Sequence, residues 1–147
     1  MKFQLIIDKT KEESIVITVH EKTDKIKQIE DIINSNKYQI LGYYQEEIIP
    51  INIEEVYAFY TNDSKVYACL KDKNLLIKER VYQIEEILGD SFIKINQGCI
   101  VNVEKILKFD SSISGSIKVI LKNNFSDYIS RRELKNVKRR MRIWKSI

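Results

Sequence analysis

The residues best suited to chemistry form a run of cations near the end of the chain. Between Arg131 and Lys145, Glu133 is the single acid among eight basic residues: Arg131, Arg132, Lys135, Lys138, Arg139, Arg140, Arg142 and Lys145. Apolar residues recur within the run at the spacing of one helix face: Leu134, Val137, Met141 and Trp144. A helix that buries this face turns its cations outward, where they suit the phosphates of a nucleic acid. The alternatives are a merely solvated helix face and a helix lying on an acidic membrane.

A second candidate is the polar interruption Lys94-Ile95-Asn96-Gln97-Gly98 between two apolar segments. Asn and Gln side chains can form paired hydrogen bonds with adenine edges, and Lys suits guanine. Gly98 permits a tight turn or the close approach of another chain. The alternative is an ordinary turn without function.

A third candidate is Ile129-Ser130-Arg131-Arg132, which reads as a strand end followed by a helix capped by Ser130. Two guanidinium groups at a helix start can hold a phosphate or reach a base.

Residue types typical of catalytic and metal sites are sparse. His20 is the only histidine, and the sequence has no His/Cys cluster, no CxxC and no glycine-rich phosphate loop. Its acidic pairs, such as Glu54-Glu55, are adjacent and would face opposite sides of a strand. We therefore expect no enzymatic activity, no cofactor and no metal.

The charge is unevenly distributed along the chain. The net charge of +4 combines residues 91–147, which carry 13 Lys/Arg against four acids, with residues 1–90, which carry 12 against 17. The second part is thus basic and the first acidic, a pattern that predicts a polyanion partner for the second part.

The first 47 residues predict a small β-β-α-β unit. Alternating apolar residues indicate strands at Lys2–Asp8 and Ile15–Val19, with a hairpin loop between them, and apolar spacing after Thr23 or Asp24 indicates a helix. Tyr38–Tyr44 is a further strand candidate.

From residue 48 onward, closely spaced short strands predict an antiparallel sandwich or distorted barrel. Predicted strands are Ile49–Tyr60, Val66–Leu70, Leu75–Ile77, an apolar stretch Phe92–Val103, Ile106–Phe109, Ile117–Leu121 and Phe125–Ile129; helices are predicted at Glu79–Leu88 and after Ser130. The fold class is therefore mainly β with short helices (α+β).

Cys69 and Cys99 each lie in an apolar run and are expected as buried free thiols rather than a disulfide. With no visible signal peptide and no apolar run long enough to cross a bilayer, we expect a cytoplasmic protein.

Three ordered segments resemble the LytTR family of bacterial DNA-binding regulators. Ile53-Glu54-Glu55-Val56-Tyr57-Ala58-Phe59 resembles the opening strand, although the family's usual Glu at its end is absent. The stretch from Phe92 to Asn102 resembles the central motif F-x-R-x-H-R-S-x-x-V-N, and Ile129-Ser130-Arg131-Arg132 resembles the closing V-S-R-R. The resemblance covers about residues 48–147.

The resemblance implies elongated antiparallel β-sheets whose loops enter successive major grooves and bend the DNA, commonly at paired direct repeats in promoters. The first contact loop would be Asn62 to Lys65, with Ser64 or Lys65 touching DNA. The second would supply Lys94, Asn96 and Gln97. The third would supply Arg132, with Arg131 beside it on phosphate; Lys135 and Lys138 extend that basic surface.

The sequence departs from the family pattern at Lys94, where many members have Arg, and at Asn96, where many have His. We therefore expect the family's mode of binding but a different target sequence.

Residues 1–47 are too short for a receiver domain and resemble a stand-alone regulator, in which this unit pairs two protomers or binds a partner. A homodimer on duplex DNA is expected, without a membrane role. The alternative functions are an RNA-binding module and a protein-interaction domain whose basic helix binds an acidic partner or membrane. The aromatic residues of the basic half are expected in core phase, which counts against the stacking of RNA bases on them: Phe92, Phe109, Phe125, Tyr128 and Trp144.

Overall fold

The chain divides into two compact units between Lys37 and Tyr38 in the computed structural model, which describes residues 2–34 and 39–142. The sequence placed the boundary between residues 47 and 48, within what the structure forms as the hairpin of β1 (Leu41–Tyr44) and β2 (Glu47–Pro50). This hairpin belongs to the main sheet, because Tyr43 pairs with Leu76 of a later strand.

The N-terminal unit contains the predicted helix, α1 (Asp24–Asn34). In its first turn the Ile26 N–H donates a long hydrogen bond of 3.4 Å to the Thr23 Oγ1. The two predicted strands are wrong: no residue from 2 to 23 is in a strand. A turn does form at the predicted loop, where the Lys11 N–H donates to the Asp8 carbonyl. The alternating pattern is not sufficient for a ladder, because an isolated two-stranded ribbon buries too little apolar surface.

The second unit is built on a seven-stranded antiparallel sheet in the order β2-β1-β5-β4-β3-β7-β6. Its further strands are β3 (Ala58–Asn62), β4 (Lys65–Cys69), β5 (Asn74–Ile77), β6 (Phe92–Asn96) and β7 (Cys99–Asn102). The predicted strand Ile49–Tyr60 is interrupted by a 3-10 turn at Ile53–Glu55, where the Asn52 side chain accepts from the Glu54 N–H. Gly42 permits the close approach of β1 to β5, since a Cβ there would lie 2.6 Å from the Leu75 Cδ1.

Both faces of this sheet are buried at β3, β4, β6 and β7. Helix α2 (Val81–Ile87) covers one face, where Phe59, Phe92 and Ile100 are buried. Their sequence neighbours Ala58, Ile93 and Val101 belong to a second core on the other face. The stretch Phe92–Val103 alternates poorly in sequence because both faces of its strands are apolar.

The second core is closed by a three-stranded sheet, ordered β10-β9-β8, and by helix α3. These elements are β8 (Ile106–Asp110), β9 (Lys118–Leu121), β10 (Ser126–Tyr128) and α3 (Arg131–Met141). Leu134, Val137 and Met141 of α3 pack on this core as predicted; Trp144 and Lys145 lie outside the described residues. The mainly β architecture with short helices is thus confirmed.

Candidate nucleic-acid interface

The first predicted contact loop is the tight turn between β3 and β4. Asn62 pairs with Lys65, and the two residues between them, Asp63 and Ser64, have φ of 50° and 63°. Two positive φ angles are typical of a type I′ hairpin turn, which follows the twist of its strands but strains residues other than Gly, Asn and Asp, here Ser64. All four side chains are exposed, so the turn presents them to solvent.

The second predicted loop is the turn between β6 and β7, and Asn96 organises it. The Asn96 Nδ2 donates to the Asp127 Oδ2 at 3.1 Å and to the Tyr128 carbonyl at 2.9 Å. Its Oδ1 accepts the Gly98 N–H at 2.9 Å. Both amide protons of Asn96 are therefore used within the protein, whereas the Gln97 side chain at the tip is exposed.

Lys94, assigned to the same loop from the sequence, lies elsewhere. Its half-buried side chain projects towards α2, where its Nζ is 3.5 Å from the Glu85 Oε2. It lines a polar cleft of about 200 Å³ shared with α3 residues such as Glu133 and Asn136. Alternation along β6 accounts for this position, since Lys94 shares the face of Phe92 that packs towards α2.

The third predicted loop leads from β10 into α3. Ser130 caps α3, its Oγ accepting the Glu133 N–H at 3.3 Å, and Arg131 and Arg132 are the exposed first two residues of the helix. The positive end of the helix dipole repels these two cations, and a phosphate bound between them would offset the repulsion.

Backbone hydrogen bonds join the three loops at one end of the main sheet. The Thr61 N–H, next to the first loop, donates to the Gly98 carbonyl at 2.8 Å, and the Ser130 N–H donates to the Ile95 carbonyl at 2.8 Å. The second loop is thus bonded to both of the others, and Asn96 reinforces its bond to the third. Loops that are distant in the sequence are thus brought together.

Helix α3 extends the basic surface away from the third loop. Arg131, Lys135, Lys138 and Arg142 recur every three or four residues on one side, and Lys138 alone among them is half-buried. Arg140 was predicted among the outward-facing cations of the helix, but its side chain forms hydrogen bonds within the protein. Its guanidinium donates to the carbonyls of Phe92 at 3.1 Å and Asp90 at 2.8 Å, which holds α3 against the start of β6.

The sequence missed Tyr128, which was expected in core phase. Its ring is 42% exposed beside the second loop, and the Lys118 Nζ lies 5.5 Å from the ring centroid. It also missed Asp127, which accepts from Asn96 and from its neighbour's backbone N–H. Neither residue could be assigned from its local sequence, because the Asn96 side chain that bonds to both lies 31 residues before Asp127 and 32 before Tyr128.

The two cysteines are buried free thiols, as predicted. Burial raises the pKa of the Cys69 thiol, and burial together with the nearby Asp127 carboxylate raises the pKa of Cys99 well above its usual value. Both thiols are therefore protonated and unreactive at neutral pH.

Within residues 2–34 and 39–142, no group of three His, Cys, Asp or Glu residues could hold a metal ion. No helix in these ranges has the length and apolarity to cross a bilayer.

The family model of the LytTr DNA-binding domain matches residues 46–142. The chain belongs to the LytTR family. Relatives named as uncharacterized HTH-type transcriptional regulators of Staphylococcus aureus, strains NCTC 8325 and COL, are 32% identical over 146 residues, covering 97% of this chain and 99% of theirs. This LytTR protein is accordingly a DNA-binding transcription regulator, a class that is not typically enzymatic.

Its fold is also similar to that of a solved LytTr DNA-binding domain from Bacillus cereus, with a TM-score of 0.67 and 20% identity over 72% of this chain and 98% of the other. In this LytTR protein the described helices α2 and α3 are separated by five strands, so they do not form a helix-turn-helix pair.

Proposed function

We propose that this LytTR protein recognises specific promoter sequences by inserting three hydrogen-bonded loops into successive major grooves. The observation that supports this is the convergence of the β3–β4 turn, the β6–β7 turn and the start of α3 at one end of the sheet. Loops that share backbone hydrogen bonds keep a fixed spacing, as reading several base pairs in register requires.

Different residues of this surface have different roles. Arg132 and Gln97 are exposed and reach base edges, Arg for guanine and Gln for adenine. In the first loop, Ser64 or Lys65 contacts DNA, and Asn62 supports the turn. Arg131, Lys135 and Lys138 bind backbone phosphates and determine the register rather than the sequence.

Asn96 and Lys94 have narrower roles than the family resemblance implied. Because both amide protons of Asn96 are donated to Asp127 and Tyr128, we assign it to positioning the β6–β7 turn. Lys94 contributes to DNA binding only if its ion pair with Glu85 opens.

The proposal extends to a homodimer on paired direct repeats, in the bacterial cytoplasm where promoter DNA lies. Two tethered DNA-binding units bind a double site more tightly than one, because the second contact becomes intramolecular.

The test begins with selection of a preferred sequence by the full chain from a random duplex pool. Fluorescence anisotropy then measures its affinity for that duplex against random duplex and single-stranded RNA competitors. We expect binding that survives both competitors, with specific binding at least about 10³-fold tighter than non-specific binding. Equal competition by random duplex contradicts sequence recognition, and preferential competition by the RNA favours the RNA-binding alternative.

A further inference from the structure

Two lysines of neighbouring strands lie at the end of the main sheet that carries the three loops. Lys65 is the first residue of β4, directly after the β3–β4 turn, and Lys78 follows the last residue of β5. These strands are antiparallel, with Val66 opposite Ile77. The lysines are the next residue along each strand, so the register places Lys78 beside the first loop.

The Lys78 side chain is held on an aromatic ring. Its Nζ lies 4.8 Å from the centroid of the Tyr43 ring. Tyr43 of β1 pairs with Leu76, two residues before Lys78, so the ring and the lysine belong to the same face of the sheet. Attraction between the ammonium and the ring restricts the positions that this long side chain occupies.

Neither lysine is neutralised by a carboxylate. Both side chains are exposed, and neither takes part in an ion pair within residues 2–34 and 39–142. Lys94, by contrast, lies 3.5 Å from the Glu85 carboxylate. Like charges at neighbouring positions of adjacent strands repel each other, and an anion bound beside them offsets the repulsion.

The ring under Lys78 comes from outside the region that defines the family. Tyr43 lies in β1 (Leu41–Tyr44), whereas the family model matches residues 46–142. Strand β1 nevertheless pairs with β5 in the main sheet. The contact between Tyr43 and Lys78 therefore joins a strand that precedes the family match to the end of the sheet where the loops lie.

We propose that Lys78, held on Tyr43 and adjacent to Lys65, binds a backbone phosphate of DNA and extends the interface from the three loops to β5 and β1. The inference rests on the proposed function, which places duplex DNA at this end of the sheet. An ammonium binds phosphate as a point charge, so the contact strengthens binding to every sequence alike. Tyr43 is a positioning residue, because a lysine that is already held loses less freedom on binding.

Lys73 provides a matched control on the same strand. It precedes β5 at the opposite end, about 17 Å away along an extended chain. Its side chain is also exposed, and its Nζ lies 5.6 Å from the ring centroid of Tyr44, the next tyrosine of β1. Lys78→Gln and Lys73→Gln thus remove the same charge and the same kind of ring contact from opposite ends of β5.

Fluorescence anisotropy of the full chain on selected and random duplexes, between about 50 and 200 mM salt, tests the contact. Lys78→Gln should reduce the slope of log affinity against log salt by about 0.9 on both duplexes, and Lys73→Gln should leave it unchanged. If counterion release is the whole contribution, Lys78→Gln loses about 15-fold in affinity at 50 mM and about 4-fold at 200 mM. An unchanged slope for Lys78→Gln, or equal effects of the two variants, overturns the proposal.

The positioning role of Tyr43 is tested by Tyr43→Leu in the wild-type chain and in the Lys78→Gln chain. In the wild type it should weaken binding without changing the salt slope, because the charge remains. In the Lys78→Gln chain it should have no further effect. An equal loss in both chains would mean that Tyr43 acts through the fold alone, and would contradict its role in holding Lys78.

The two duplexes also separate this contact from sequence recognition. A wild type that binds both duplexes equally, with the slope still reduced in Lys78→Gln, contradicts the proposed function and supports the phosphate contact. A wild type that prefers the selected duplex, with Lys78→Gln at wild-type affinity and slope, contradicts the phosphate contact alone.

Discussion

At the scale of single residues, side chains of one chemical type have different roles here. Arg132 is exposed at the start of α3, while Arg140 donates its guanidinium protons to two backbone carbonyls. Gln97 is exposed at a turn tip, while Asn96 beside it has both amide protons engaged. Residue type alone predicted all four as polar surface, and only tertiary contacts distinguish them.

Arg132→Ala should weaken binding to the selected duplex by about 1–3 kcal/mol and relax specificity at one position. Lys138→Ala, the control on the same helix, should weaken binding to all sequences alike and reduce the salt slope by about one. Anisotropy titrations on selected and random duplexes measure both effects. An equal loss for Arg132→Ala on the two duplexes contradicts its role in reading a base.

Asn96→Ala should lower the free energy of unfolding by about 0.5–1.5 kcal/mol, because the Asp127 Oδ2 and the Tyr128 carbonyl lose the Asn96 donor. The exposed Gln97→Ala should leave stability within about 0.5 kcal/mol while relaxing sequence preference. Urea unfolding and the duplex titrations give the two readouts. An unchanged midpoint for Asn96→Ala would argue against a positioning role.

At the scale of elements, local sequence predicted turns and caps better than pairing. The β3–β4 turn, the Ser130 cap and the apolar face of α3 were predicted because their signals lie within a few residues. The N-terminal strands were not found because alternation needs a pairing partner. The division of Phe92–Val103 into β6 and β7 was obscured by two buried faces. The Asn96–Asp127 hydrogen bond could not be predicted, since it joins strands of different sheets.

Because the β3–β4 turn is strained at Ser64, we predict a substitution there that raises stability and weakens DNA binding. Ser64→Gly should raise the free energy of unfolding by about 0.5–1 kcal/mol, because Gly adopts positive φ without steric cost. Ser64→Ala keeps the strain and is the control. If Ser64 contacts DNA, both variants should bind the selected duplex less tightly. A less stable Ser64→Gly variant would contradict the turn geometry.

At the scale of the whole molecule, the charge asymmetry determines how binding depends on salt. A net charge of +4 understates the basic surface, because residues 91–147 alone carry 13 basic residues. With about five phosphate contacts, affinity should fall roughly 10²–10³-fold between about 50 and 200 mM salt. Anisotropy across this range measures the slope. A slope of log affinity against log salt concentration near −1 would mean that the basic residues of α3 do not contact phosphates.

The central claim is that the three loops read bases in successive major grooves. Replacing single guanines or adenines of the selected duplex by their 7-deaza analogues tests it most directly, since each change removes only a major-groove acceptor. We predict losses of affinity in clusters about one helical turn, or roughly 10 base pairs, apart. Loss at one cluster alone, or at none, would contradict the insertion of loops into successive major grooves.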